Sequence, residues 1–277
     1  MTAPAPALAT AAAASLAEPP ARFRDLIASE WIKMRSLRST PWTLALITLF
    51  VIGSAAVATL ADKAAGSEPA DFLAYDAYPS TGYMTLILVA GTMGALTVVN
   101  EYSSGLIRTT TVAVPDRGTV VLAKAVVTAV LWTVVGTAAS IGSFLVSQAI
   151  LEGHGAGVAI THPDVLRPLV ASALLAPVCA LVGLGLGVLL RHTAGTMLTS
   201  VFALLMLPTM FSESNRWSAD AKHTMVSAAW TRLVMTWEPD PGSLGYTATL
   251  PGSWIVYALW PLVAVALAVI VVRHRDV

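Results

Sequence analysis

The side chains able to do chemistry are few in this sequence, and their spacing excludes most reactions. The five histidines, His154, His162, His192, His223 and His274, are scattered with no His-Glu-x-x-His or comparable ligand spacing, so each reads as a loop or chain-end residue and no metal site is expected. No Gly-Lys pair occurs, which removes the glycine-rich loop whose backbone N–H groups and lysine hold nucleotide phosphates. The lone cysteine, Cys179, lies in an apolar run; it can form no intrachain disulfide and reads as a small packing residue. A nucleophilic serine facing a histidine inside the apolar segments is also missing. No catalytic residue and no cofactor are expected, and the chain reads as a non-enzyme.

The elements that hold these sparse groups are apolar helices. Hydrophobic residues make up 56% of the 277 positions and charged ones 12%, and the mean hydropathy is +0.73, more apolar side chain than a soluble domain can use. About 20 apolar residues rising about 1.5 Å each cross a hydrocarbon core of about 30 Å. Six segments meet that length: 43–61, 80–99, 120–150, 169–190, 194–211 and 254–272. The third contains Lys124 near its start, which is expected to snorkel toward the interface. The fifth contains Pro208, where a helix ends or kinks. The expected fold is an all-α integral membrane domain over residues 40–277. Its span interiors carry no Asp, Glu or His, which argues against an ion-coupled pump.

Six crossings put both termini on one side. Arg22, Arg24, Lys33, Arg35, Arg38, Arg108, Arg117, Lys124, Arg191, Arg273 and Arg275 fall on that side; Lys63, Arg167, Arg216, Lys222 and Arg232 fall on the other, with most of the acids. Positive charge accumulates on the cytoplasmic face, so both termini are expected there, in the plasma membrane. A formal net charge of zero leaves no surplus for nucleic acid. Residues 1–21, rich in Ala and Pro, read as a disordered tail. Over 22–39 Phe23, Leu26, Ile27, Trp31, Met34 and Leu37 recur at helical spacing against a basic face, the pattern of an amphipathic interfacial helix that Ser39, Thr40 and Pro41 break. A basic segment that only sets topology is the alternative.

Two further features bear on architecture. The stretch Met225 to Trp237 within the long 212–253 loop is too short and polar to span, but Trp230, Leu233, Val234 and Trp237 share a helical face; a helix dipping into the interface and a surface loop with aromatic anchors both fit. Gly183 and Gly187 are spaced for close helix approach, with general packing the simpler reading.

Between the second and third spans lies NEYSSGLIRTTTVAVPDRG, residues 100–118. Ser103 and Ser104 suit the cap of a short helix over 105–111, and Pro115-Asp116-Arg117-Gly118 is turn chemistry leading into the third span. Glu101 to Thr110, then Val114 to Arg117 and Lys124-Ala125, resemble the segment after the second span in permease subunits of type-2 ABC exporters, particularly actinobacterial ones. Ser29 to Thr40 resembles the same family's approach to its first span.

The resemblance implies a six-span permease that forms a homodimer or heterodimer in the lipid bilayer and docks a separate ABC ATPase. The cytoplasmic coupling helix would contribute Glu101, Tyr102, Gly105, Leu106, Arg108 and Thr109 to docking, and Phe23, Leu26, Ile27 and Trp31 would lie on the connecting helix before the first span. The family's re-entrant element would correspond to the stretch around Trp230. Such a protein exports cargo; uncharged spans suit a drug, lipid, peptide or other amphipathic molecule. A non-transporting membrane scaffold or sensor is the alternative.

Overall fold

The computed structural model describes residues 22–64, 74–106, 116–153, 157–237 and 245–274. Among them every regular element is helical: α1 (Phe23–Ser36), α2 (Ser39–Ala64), α3 (Ala74–Ala77), α4 (Ser80–Ser103), α5 (Arg117–Glu152), α6 (Pro163–Leu190), α7 (Thr193–Thr209), α8 (Arg216–His223), α9 (Val226–Val234) and α10 (Leu250–His274). Five of these, α2, α4, α5, α6 and α10, are long and apolar enough to cross a membrane. The apolar helix α7 is shorter. The tail over 1–21 and the stretch 107–115, which holds Arg108 and Thr109, lie outside the described residues.

Several helix ends differ from the sequence expectation for local reasons. Ser39, Thr40 and Pro41 do not separate α1 from the first span but open α2, since proline in a first helical turn forfeits only an N–H that has no intrahelical partner. Glu101 and Tyr102 belong to α4, which runs past residue 99. Ser103 and Ser104 do not cap a new helix: their hydroxyls donate back to the Asn100 carbonyl at 3.1 and 2.6 Å, closing the turn already made. Gly105 then takes φ +74, the left-handed conformation that ends a helix at no steric cost to glycine.

The central helix is α6, which packs against α4, α5, α7, α9 and α10. Lipid tails are as apolar as leucine, so within a membrane such packing must come from close contact rather than from escape from water. The α4–α6 seam provides it: a Cβ on Gly183 would collide with the Gly91 carbonyl, and one on Gly94 with the backbone of Ala180. The close approach that the Gly183 spacing allowed therefore occurs inside one chain, although general packing was the simpler reading. Buried hydroxyls add side-chain ties, Thr59 Oγ1 to Ser147 Oγ at 3.0 Å between α2 and α5, and Ser140 Oγ to the Leu169 carbonyl at 2.8 Å.

The bundle has two distinct ends. At one, α1 lies across the starts of α2 and α5 and the finish of α4, and Arg273 in the last turn of α10 reaches Asp116 at the head of α5. The first described helix and the finish of the last thus lie at the same end of the bundle, each against the start of α5. At the far end, α9 covers the starts of α6 and α10. There Trp230 is buried, stacks on Tyr83 with ring centroids 5.1 Å apart, and donates its indole N–H to Ser172 Oγ at 3.1 Å. Leu233 and Val234 are buried beside it, whereas Trp237 lies beyond the end of α9 and is exposed, leaving the face the helical spacing had assigned it.

Between these ends runs α7, from Arg191 at the α1 end to the segment preceding α9. Its residues Phe202–Met206 widen into a π-helical turn just before Pro208. Proline removes an N–H from the ladder and crowds the preceding turn, so the irregularity falls where the sequence marks it.

Candidate functional site

Four charged side chains meet at the α1 end. Glu30 comes from α1, Glu101 from the last turn of α4, Lys124 from the second turn of α5, and Lys33 from α1 one turn beyond Glu30. Lys33 Nζ lies 2.6 Å from Glu30 Oε1 and 2.9 Å from Glu101 Oε1. Lys124 Nζ lies 3.0 Å from the same Glu101 oxygen and bonds the other oxygen of Glu30. Two lysines and two carboxylates alternate in a ring of zero net charge that ties three helices together.

The environment makes the ring consequential. Glu30, Lys124 and Glu101 are only 4, 5 and 7% exposed, and the outer member Lys33 is more open. Lys124 stands seven positions beyond Arg117, so its Cα lies about 10 Å along α5. Lys124 does not snorkel as the sequence suggested. With α1 packed over it the lysine has no route to water, and its charge is instead met by carboxylates from two neighbouring helices. Burial alone would lower the Lys33 ammonium, but the Glu30 and Glu101 carboxylates outweigh it and hold that group above its ordinary value.

The helix α1 presents Leu26, Glu30 and Lys33 inward, at the i, i+4, i+7 spacing of one face. Of the four residues expected to define its apolar face, Leu26 is buried and Ile27 half-buried, whereas Phe23 and Trp31 remain exposed.

The next residue of α4 is held from the other side. Arg191 ends α6 in the left-handed conformation, φ 53, donates its N–H to the Gly187 carbonyl at 3.0 Å, and sets its guanidinium 5.0 Å from the centre of the Tyr102 ring. Below the start of α5, Asp116 accepts from the Gly118 N–H at 3.1 Å and from the Thr119 hydroxyl. The Thr119 hydrogen bond first, and Arg273 among the lesser causes, hold its carboxyl below the ordinary range. Gly105 and Leu106, exposed, lead out of this gripped corner. The stretch 107–115 is thus flanked by two anchored points: Glu101–Tyr102, fixed to α1, α5 and Arg191, and Asp116, fixed to α5 and α10. Both carboxylates of the ring are paired with ammonium groups, so the arrangement physically links the chain on either side of 107–115 to several long helices.

Comparison with known families decides what kind of molecule has this corner. The family model for ABC-2 family transporter proteins matches residues 26–212, well over half of the chain. The chain belongs to the ABC-2 transporter family. Members of that family are the membrane component of a transporter whose ATPase activity lies in a separate subunit, so this is a multi-pass membrane permease and not a classical enzyme. No curated protein matches the chain significantly. All four members of the ion ring fall inside the matched region of the permease, whereas α8, α9 and α10 lie beyond it.

Sequence reasoning singled out Glu101 and Tyr102 but not their partners. Glu30 and Lys33 were read as parts of a surface helix, and Lys124 as an interfacial lysine. One signal was present: a charge inside an apolar segment needs a partner, and Glu30 is an acid set among basic residues just upstream.

Proposed function

We propose that this permease is the transmembrane half of an ABC exporter, and that a separate ATPase seated beneath residues 101–118 drives it by pushing on that loop. The observation that carries this reading is the buried ring of Glu30, Lys33, Glu101 and Lys124 immediately before the loop. A push at the loop's first anchor moves α4, and the ring passes the displacement to α1 and α5, while Tyr102 passes it to the α6–α7 turn through Arg191. In this reading α1 is the connecting helix, with Phe23, Leu26, Ile27 and Trp31 at the headgroup layer. Glu101, Tyr102, Gly105, Leu106, Arg108 and Thr109 border the ATPase contact.

The sixth crossing in this account is α7. Seventeen residues reach about 26 Å, near the hydrocarbon thickness, and the helix joins the two ends of the bundle. On this reading there are six crossings, and the lysine and arginine excess at the α1 end supports a cytoplasmic position for both termini. Cargo is amphipathic, a drug, lipid or peptide, and moves at an interface between two permease copies, identical or related.

The test is co-purification with the ABC ATPase produced alongside the chain, followed by efflux from reconstituted vesicles. Association, with cargo efflux that requires ATP and fails in Glu101→Gln and Arg108→Ala, supports the reading. A chain that never associates, or efflux untouched by both substitutions, defeats it; association without any cargo-stimulated hydrolysis would favour a scaffold or sensor instead.

A further inference from the structure

At the far end, helices α8 and α9 and the chain leading into α10 enclose a cavity of about 110 Å³, whose walls include Glu213, Lys222, His223, Thr231, Arg232 and Thr247. Most of the wall's polar groups are engaged. Lys222 Nζ binds Glu213 Oε1 at 2.9 Å, Thr231 Oγ1 donates to the Ser227 carbonyl at 3.0 Å, and Arg232 Nε donates to the Ala248 carbonyl at 2.8 Å. Two nitrogens are not: Arg232 Nη1 and His223 Nε2 are buried and have no hydrogen-bond partner. Leaving a buried donor unmet costs about 1–3 kcal/mol, more when it is charged, so a group that supplies acceptors there is favoured.

The charge balance says what kind of group. Glu213 is paired with Lys222, and among the described wall residues no carboxylate is left to pair with the Arg232 guanidinium. Arg167, which donates to the Leu233 and Met235 carbonyls at 3.2 and 2.5 Å, stands near enough to Arg232 for the two positive charges to repel, with Asp164 partly offsetting the repulsion. Space for several water molecules is room for a small oxyanion, and a planar guanidinium is well suited to a phosphate's oxygens. Exposed indoles stand on both flanking segments, Trp217 on α8 and Trp237 just past α9, as at the headgroup level of a bilayer.

We infer that this cavity binds a phosphate oxyanion, with Arg232 as its principal contact and His223 and Thr231 beside it. The site rests on membrane embedding alone and stands whether or not an ATPase partners the chain. Phosphate has two sources here, a phospholipid headgroup or the free ion, and two probes separate them. The full chain is placed in phosphatidylcholine nanodiscs with and without phosphatidylglycerol, and lipid retention is read by native mass spectrometry; inorganic phosphate is titrated against the same protein by its thermal unfolding midpoint.

Retention of phosphatidylglycerol reduced at least tenfold by Arg232→Gln and several-fold by His223→Asn, with Arg216→Gln at the exposed start of α8 unchanged, establishes a headgroup site. Stabilisation by inorganic phosphate with the same dependence on those residues establishes a free-ion site. Should Arg232→Gln not fold, Arg232→Lys with His223→Asn supplies the comparison, because lysine keeps the charge and loses the forked geometry. Wild-type protein that responds to neither probe, or a response that Arg232 and His223 substitutions leave intact, overturns the inference.

Discussion

Replacing Lys124 with methionine tests the ring at its most enclosed member. The intact ring holds two lysines against two carboxylates, and Glu101 Oε1 accepts from both ammonium groups at 2.9 and 3.0 Å. Lys124→Met leaves Glu30 and Glu101, both buried, competing for Lys33 alone. Removing one partner of a buried pair strands the other's charge and costs about 3–5 kcal/mol. Lys33→Met removes the same formal charge from a position that is 37% exposed, where solvent screens the loss, and costs about 1 kcal/mol. The double variant Lys124→Met with Glu101→Gln restores neutrality through Glu30 and Lys33, and is expected to be more stable than the single losses added together by about 1–3 kcal/mol. Unfolding of the full chain in mixed detergent micelles measures all of these. The reasoning fails if Lys124→Met is no worse than Lys33→Met, or if the double variant shows the plain sum of its parts.

Three further outcomes are expected. Gly183→Ala forces α4 and α6 apart at the Gly91 carbonyl and lowers stability by about 1–3 kcal/mol in the same unfolding assay, whereas Gly53→Ala, with open space around it, leaves stability within about 0.5 kcal/mol. Trp230→Phe loses the bond to Ser172 and part of the stack on Tyr83, at a cost of about 1–2 kcal/mol, read by the same denaturation together with faster proteolysis in the 212–253 region. Asp76 is pushed up to about 6 by burial and then by the charge of Asp62. A raised carboxyl contributes stability that is complete below about pH 4 and lost as pH rises through about 6, on the order of 1 kcal/mol after screening. Asp76→Asn should therefore gain stability relative to wild type above pH 6 and show no advantage at pH 4.

The long apolar runs fixed most of the spans because lipid imposes a length and a composition, and both can be counted. Helix ends were read less well. The sequence around residues 99–105 offers Ser103 and Ser104 as caps, and only the three-dimensional path shows those hydroxyls turning back to Asn100 rather than forward. The ring was hidden for a different reason: Glu30, Glu101 and Lys124 are far apart in sequence, and pairing across helices has no local signature. Lys124 alone announced that something must meet its charge, without saying what. Trp230 was legible as an anchor by its helical spacing, but its partners Tyr83 and Ser172 come from α4 and α6 and follow from no local pattern.

The central claim, that force from an ATPase reaches the spans through the corner joining α1, α4 and α5, is tested most directly by measuring ATP hydrolysis and cargo efflux together. The reconstituted complex is compared with one carrying Lys124→Met and Glu101→Gln, a pair that keeps the corner neutral and the chain folded. The account predicts that hydrolysis persists while efflux falls at least tenfold, the motor turning without moving the spans. Efflux that keeps pace with hydrolysis in the double variant would contradict it.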